Sequence, residues 1–191
     1  IGAAIIDTCP FMCPGIGDYD ADGDIDLYIA NGEDWNDGDA IYFPDFYYVN
    51  DCSTFIDAAD SVGMDVIYTS PKYGRIAVSC DFDFDRDIDL YIGNYRLHPN
   101  RFFVNQGDGT FDERASYYRI AGHSVWGAYG HTIGAQWADI DNDGDFDLMC
   151  ANLAHPRYIE FSDKSMLYIN EGAPNYLFHD ERQEWGIEYY E

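Results

Sequence analysis

Basic residues are scarce in this chain: 10 Lys and Arg stand against 36 Asp and Glu, a formal net charge of −26 at pH 7. A surface of that sign repels phosphate backbones and anionic headgroups and attracts cations, so nucleic acid is excluded as an expected partner. Long apolar runs are missing too. The longest near the start, Ile1–Ile6, falls far short of the roughly 18 residues of a membrane-spanning helix, and no membrane insertion is expected. Neither an initiator methionine nor a signal-peptide pattern opens the chain at Ile1, which reads as a mature or excised piece of a longer protein. There is no Asn-x-Ser/Thr sequon, so ordinary N-glycosylation is not expected. Disorder is excluded by a hydrophobic content of 47% and an aromatic content of 17%, and 191 residues suffice for one domain with a real core.

The five cysteines, Cys9, Cys13, Cys52, Cys80 and Cys150, cannot all pair within one chain. The gap in "CPFMCP" fits neither a redox Cys-x-x-Cys nor a zinc knuckle, and no second Cys or His pair follows at ligand spacing. A local Cys9–Cys13 disulfide suits an oxidising compartment, whereas Cys80 and Cys150 read as buried thiols of apolar strands.

What the chain has in excess is a repeat. "GDYDADGDIDLYIAN", "CDFDFDRDIDLYIGN" and "ADIDNDGDFDLMCAN" superpose without gaps, and their first aspartates, Asp18, Asp81 and Asp139, lie 63 and 58 residues apart. Each segment ends thirteen positions later in an asparagine, Asn31, Asn94 or Asn152. Downstream come "FYYVN", "RFFVN" and "MLYIN", closing on Asn50, Asn105 and Asn170, then Phe55, Phe111 and Phe178, then Gly63, Gly122 and Gly186. Upstream of the second and third copies lie "GRIAVSC" and "IGAQWA"; the first has "CPFMCPG" there and lacks a clean upstream strand. Apolar runs of about seven residues ending at Asn or Gly, with "GDG" and "NQGDGTF" as turn chemistry, favour strands over helices. Three units of this size, each a small antiparallel sheet, predict an all-β fold of β-propeller blades, with approximate units 14–72, 73–131 and 132–191.

The acidic loops predict a cation site in each unit. Positions 1, 3 and 5 are Asp18, Asp20 and Asp22, Asp81, Asp83 and Asp85, and Asp139, Asp141 and Asp143; position 9 is Asp26, Asp89 or Asp147. Calcium takes about six to eight hard oxygens, and carboxylates on alternate residues of a tight loop point inward together. Position 7, Asp24, Asp87 or Asp145, would contribute its backbone carbonyl and position 9 would close the shell, giving about three Ca2+ ions. An EF-hand is rejected, because its position 12 glutamate is replaced by Ile29, Ile92 and Cys150. The second loop departs at position 6, with Arg86 where the others have Gly23 and Gly144; a positive φ there costs a non-glycine residue about 1 kcal/mol. Three divalent ions would reduce −26 only to −20, so the loops, with 15 of 36 acidic residues, do not explain the whole surplus.

On these motifs the chain resembles the FG-GAP and VCBS repeats of extracellular β-propellers, including the integrin α-subunit propeller and bacterial proteins similar to cartilage acidic protein. "DIDNDGDFDLMCAN" and "NQGDGTF" carry the likeness most specifically. The resemblance implies four-stranded blades, calcium in Asp-x-Asp-x-Asp-Gly-x-x-Asp loops, and an extracellular, cell-surface or periplasmic location; it implies no single activity. Since a closed propeller has about four to eight blades, three units form part of a ring or one completed by other blades or chains.

Catalytic signals are weak. Ser124 in "GHSVWGAYGH" is not in a Gly-x-Ser-x-Gly elbow, and His123 and His131 lack ligand spacing; the expectation is a loop packing Trp126 against a neighbouring blade. His98 and His155 recur in "LHPN" and "AHPR" and suggest turn geometry. Most of the 17 Tyr and 4 Trp should fill the space between blades. The reading is therefore a non-catalytic, calcium-stabilised extracellular module for adhesion or assembly, a possible homo-oligomer or filament subunit. The alternative is part of a propeller that binds glycans or cleaves polysaccharide.

Overall fold

The computed structural model describes residues 11–36, 39–64, 73–124, 126–153 and 163–187. Its regular elements are all β. Three four-stranded antiparallel sheets follow one another along the chain, each a meander in which neighbouring strands pair in sequence order. Blade 1 contains β1 (Phe11–Gly17), β2 (Asp26–Asn31), β5 (Phe46–Asn50) and β6 (Phe55–Asp57). A separate hairpin, β3 (Glu33–Asn36) and β4 (Asp39–Tyr42), is inserted after β2. Blade 2 contains β7 (Gly74–Cys80), β8 (Asp89–Asn94), β9 (Arg101–Asn105) and β10 (Phe111–Glu113). Blade 3 contains β11 (Thr132–Ala138), β12 (Asp147–Asn152), β13 (Met166–Asn170) and β14 (Phe178–Asp180).

The sheets stack face to face, so the middle strands of blade 2, which lies between the other two, are covered on both sides and lose the usual alternation of apolar and polar residues: all six residues of β8 are buried. All five residues of β13 in blade 3 are buried as well. Two aromatic cores result. One joins blades 1 and 2 through Tyr19, Tyr28, Tyr47, Leu90, Phe103 and Phe111. The other joins blades 2 and 3 through the corresponding positions of the next repeat, Phe82, Tyr91, Phe102, Leu148, Tyr168 and Phe178, with Trp137 added. Ring pairs are mostly edge-to-face, as in Tyr19–Tyr47 at 5.8 Å and Phe82–Phe102 at 4.9 Å.

The first unit does have its upstream strand, which corrects the sequence expectation. β1 pairs with β2 from Phe11↔Asn31 to Gly17↔Asp26, and it carries the same register break after its first residue as β7 and β11. Proline is compatible because β1 is the edge strand of its sheet, where Pro14 need not donate to a second neighbour. Gly15 hides the pattern for a packing reason: a Cβ there would stand 2.8 Å from Leu90 Cδ1 of blade 2.

The repeat asparagines are staples. At the end of the second strand, Asn31, Asn94 and Asn152 donate their side-chain amides to the carbonyls of Pro44, Pro99 and Lys164. Their backbone N–H groups bond to side chains of the next residues, Asp45, Asn100 and Ser165. Both ends of each strand-to-strand connection are thereby fixed.

After the fourth strand each blade closes in one helical turn of Schellman type. The N–H groups of Met64, Ile120 and Ile187 reach back to the carbonyls of Ala59, Ala115 and Arg182. The residue before each is left-handed: Gly63 (φ 85°), Arg119 (φ 67°) and Gly186 (φ 68°). The blade 2 equivalent of Gly63 and Gly186 is thus Arg119, not Gly122.

Candidate metal centres

Each acidic loop is the hairpin between the first and second strands of a blade, so all three occupy the same edge of the array. Side chains build the turn before any ion is considered. Asp22 and Asp24 donate their backbone N–H groups to the carboxylates two residues earlier, at 3.2 and 2.9 Å. Asp85 and Asp87 do the same at 3.4 and 2.9 Å, and Asp143 and Asp145 at 3.1 and 3.0 Å. The N–H of Gly23 bonds to Asp18 and that of Arg86 to Asp81. Position 6 is left-handed in every loop: Gly23 (φ 97°), Arg86 (φ 83°) and Gly144 (φ 100°). Position 4 is left-handed as well, in Ala21 (φ 59°), Phe84 (φ 60°) and Asn142 (φ 63°), which no glycine signals in the sequence.

This winding gathers carboxylates. Oxygens of Asp18, Asp20 and Asp22 lie within 4.8 Å of one another, as do those of Asp81, Asp83 and Asp85. In the third loop the group within 4.8 Å is Asp139, Asp141 and Asp147, so position 9 replaces Asp143. Asp26 and Asp89 are not part of the corresponding groups, nor are the position 7 side chains. Asp24 accepts the Cys52 thiol at 2.6 Å, whereas the carboxylates of Asp87 and Asp145 lie over Gly107 and Gly172, where a Cβ would meet them unless they shifted.

The position 9 carboxylates are buried, at 0%, 1% and 0% exposure for Asp26, Asp89 and Asp147. One oxygen accepts the N–H of position 2, from Tyr19 at 3.0 Å, Phe82 at 3.3 Å and Ile140 at 2.8 Å. The other accepts the N–H of Asn50, Asn105 or Asn170 at the end of the third strand, at 2.9 Å in each blade. Those asparagines return a side-chain bond to the carbonyl of position 8, Ile25, Ile88 or Phe146. Asn105 also reaches the Tyr19 carbonyl of the preceding blade at 2.7 Å. The pairing of these asparagines with position 9 escapes sequence reasoning, although their recurrence in register is its visible signal.

Two observations fit a cation. Asp18 Oδ1 and Asp81 Oδ1, equivalent atoms of two loops, are buried without a hydrogen-bond partner. A buried carboxylate oxygen left unpaired is costly unless a positive charge meets it. Proton affinity points the same way. Burial, reinforced by the neighbouring carboxylates, raises Asp20, Asp83, Asp141 and Asp145 above the usual range. Burial likewise raises Asp81, Asp26 and Asp147. It takes Asp89 up to about 8, against the lowering effect of its two backbone donors. A divalent ion among these oxygens would reverse that balance. The three clusters have the all-oxygen donor set of a hard metal ion.

Residues 81–150, from the first aspartate of the second loop to Cys150 within β12, match the FG-GAP-like repeat family. The chain carries an FG-GAP-like repeat. The matched span includes the second and third acidic loops and the strands between them, and the three blades form a propeller-like arrangement that does not close into a barrel. No curated protein matches the chain. Among the described residues no helix is long and apolar enough to cross a membrane.

The other residues singled out in the sequence lie away from these loops. Trp126 is 90% exposed, with φ 54°, and does not pack against a blade. The reason is local: its loop is tied down on either side of it, by Tyr129 N–H to Leu97 and His123 N–H to Asp163, which leaves the tip projecting. His131 is buried edge-on against Tyr95 at 4.6 Å, whereas His123 and Ser124 are exposed. His98 packs on Tyr73 at 4.7 Å, and burial lowers its proton affinity. Cys13, Cys52, Cys80 and Cys150 are not joined to one another. Cys9 and His155 lie outside the described residues.

Proposed function

We propose that the chain is an extracellular, calcium-stabilised propeller module without catalytic activity, acting in adhesion or assembly. The observation that carries this reading is the recurrence, in three equivalent hairpins, of carboxylates held within 4.8 Å of one another, two loops having a buried oxygen that lacks any partner. Asp18, Asp20 and Asp22, Asp81, Asp83 and Asp85, and Asp139, Asp141 and Asp147 would hold the ions. The position 9 carboxylates of the first two loops serve mainly as braces between loop and third strand. Calcium would supply charge neutralisation and no chemistry. A non-catalytic role is supported by the burial of His131, whereas Ser124 and His123 are exposed. An exposed tryptophan on a fixed loop favours an interaction role, because large aromatic side chains anchor protein contacts.

Changing Asp139 and Asp141 to Ala together tests the metal. The double variant should melt lower than the parent in calcium and equally in chelator, since a ligand stabilises only the state that binds it. An equal loss in both conditions would count against an ion in that loop. For assembly, sedimentation velocity in calcium should reveal concentration-dependent association that Trp126→Ala weakens; a monomer at every concentration would contradict the assembly role.

A further inference from the structure

The second acidic loop is wound against its residue types. Positions 4 and 6 are left-handed in every loop, and the first and third loops place Ala21 and Gly23 or Asn142 and Gly144 there. Glycine takes that conformation freely, and asparagine more readily than most residues. The second loop places Phe84 (φ 60°) and Arg86 (φ 83°) there, two bulky side chains and no glycine. Of the three, it is the loop whose winding costs most.

Phe84 makes a contact that neither Ala21 nor Asn142 can make. Its ring, half exposed, stacks on Phe146 of the third loop, with centroids 5.7 Å apart and planes at 26°. Phe84 stands between Asp83 and Asp85, two of the three carboxylates gathered in its own loop, and Phe146 precedes Asp147, one of the three gathered in the next. Phe146 is anchored from behind: it packs on the core between blades 2 and 3, and its carbonyl accepts the Asn170 side chain at 3.2 Å. Since a left-handed residue carries the Phe84 ring, the stack exists only while the second loop is wound and the third holds Phe146 in place. The corresponding residues of the first and second loops, Ala21 and Ile88, offer no ring pair; there the link is the bond from Asn105 to the Tyr19 carbonyl at 2.7 Å.

We propose that the second and third metal centres are positively coupled through Phe84 and Phe146, so that cation occupancy of the third loop raises the affinity of the second. This rests on calcium occupying the loops. An ion held by Asp81, Asp83 and Asp85 fixes the backbone on both sides of Phe84, and one held by Asp139, Asp141 and Asp147 fixes the residue beside Phe146. Each event orders one half of a shared contact and lowers the cost of ordering the other, a coupling that is reciprocal. One aromatic pair limits it to about two- to tenfold in affinity.

The test is a calcium titration of isotope-labelled, chelator-treated protein, followed by NMR at the position 6 amides of Gly23, Arg86 and Gly144, which read the three loops separately. Asp141→Asn removes one carboxylate of the third group and keeps an oxygen for the Asp143 N–H. It should raise the calcium midpoint at Arg86 by a factor about two- to tenfold larger in the parent than in a Phe84→Ala background. Charge acts through space in both backgrounds, so that ratio isolates the ring pair. Should Asp141→Asn unfold the chain, Asp83→Asn read at Gly144 must return the same ratio, because the coupling is reciprocal. A ratio of one would overturn the coupling and leave the calcium reading intact; three amides indifferent to calcium would overturn both.

Discussion

Asp163 sets a pH dependence away from the acidic loops. It is buried at the edge of blade 3, and that burial pushes its carboxyl up to about 6, although the His123 N–H favours the charged form. A folded-state value above the unfolded one means that ionisation is penalised by folding. The contribution is therefore most favourable below the unfolded value near pH 4, declines as pH rises through about 6, and stays unfavourable above it. Asp163→Asn keeps an oxygen for the His123 N–H and removes the penalty. Urea unfolding of the variant should show a gain of about 1–2 kcal/mol over the parent at pH 7.5 and none at pH 4. The thiols give a second check at this scale. Cys150 is fully buried, and burial takes both Cys80 and Cys150 up to about 12, whereas Cys52 is exposed. In reduced native protein a thiol reagent should label Cys52 in the folded state, more slowly than a free thiol because its bond to Asp24 disfavours the thiolate, and Cys150 only on unfolding; fast labelling of Cys150 would mean that the core between blades 2 and 3 opens.

At the scale of the element, the acidic hairpin was the most legible part of the sequence. Alternate aspartates, a glycine at position 6 and the following apolar strand each have one physical reading, and the structure winds all three copies alike. What could not be read was how the turn is divided between local and distant partners. Position 9 looks like a further ligand from its spacing, and Asp147 does join the carboxylate group of the third loop, but Asp26 and Asp89 do not join theirs. In each blade position 9 also bonds the N–H of an asparagine about two dozen residues away in blades 1 and 3 and sixteen away in blade 2. Trp126 was misread for a related reason: large aromatics usually pack, and only the fixing of the loop on either side of the tip exposes this one. Arg86 makes the loop testable alone. It holds φ 83° where the other loops have glycine. Arg86→Gly should stabilise the protein by about 1 kcal/mol, measured by chemical denaturation in chelator, because the strain is conformational and does not depend on an ion.

For the whole molecule, the repeat allowed the all-β blade architecture to be anticipated, since each unit must cover its apolar faces with its neighbours. The two inter-blade cores use equivalent positions of successive repeats, which is why one sequence alignment of the chain with itself describes both. The inserted hairpin β3–β4 and the strand status of "CPFMCPG" were hidden, because neither repeats and because packing against Leu90 decides the composition of β1. The loops link local charge to global stability: each is anchored through position 9 to its third strand, and Asn105 carries that link across to blade 1. The most direct measurement is therefore calcium counting on the intact chain by native mass spectrometry, paired with melting in calcium and in chelator. Three bound ions and a large fall in melting temperature on chelation are predicted; a metal-free protein that melts identically in both buffers would contradict the account.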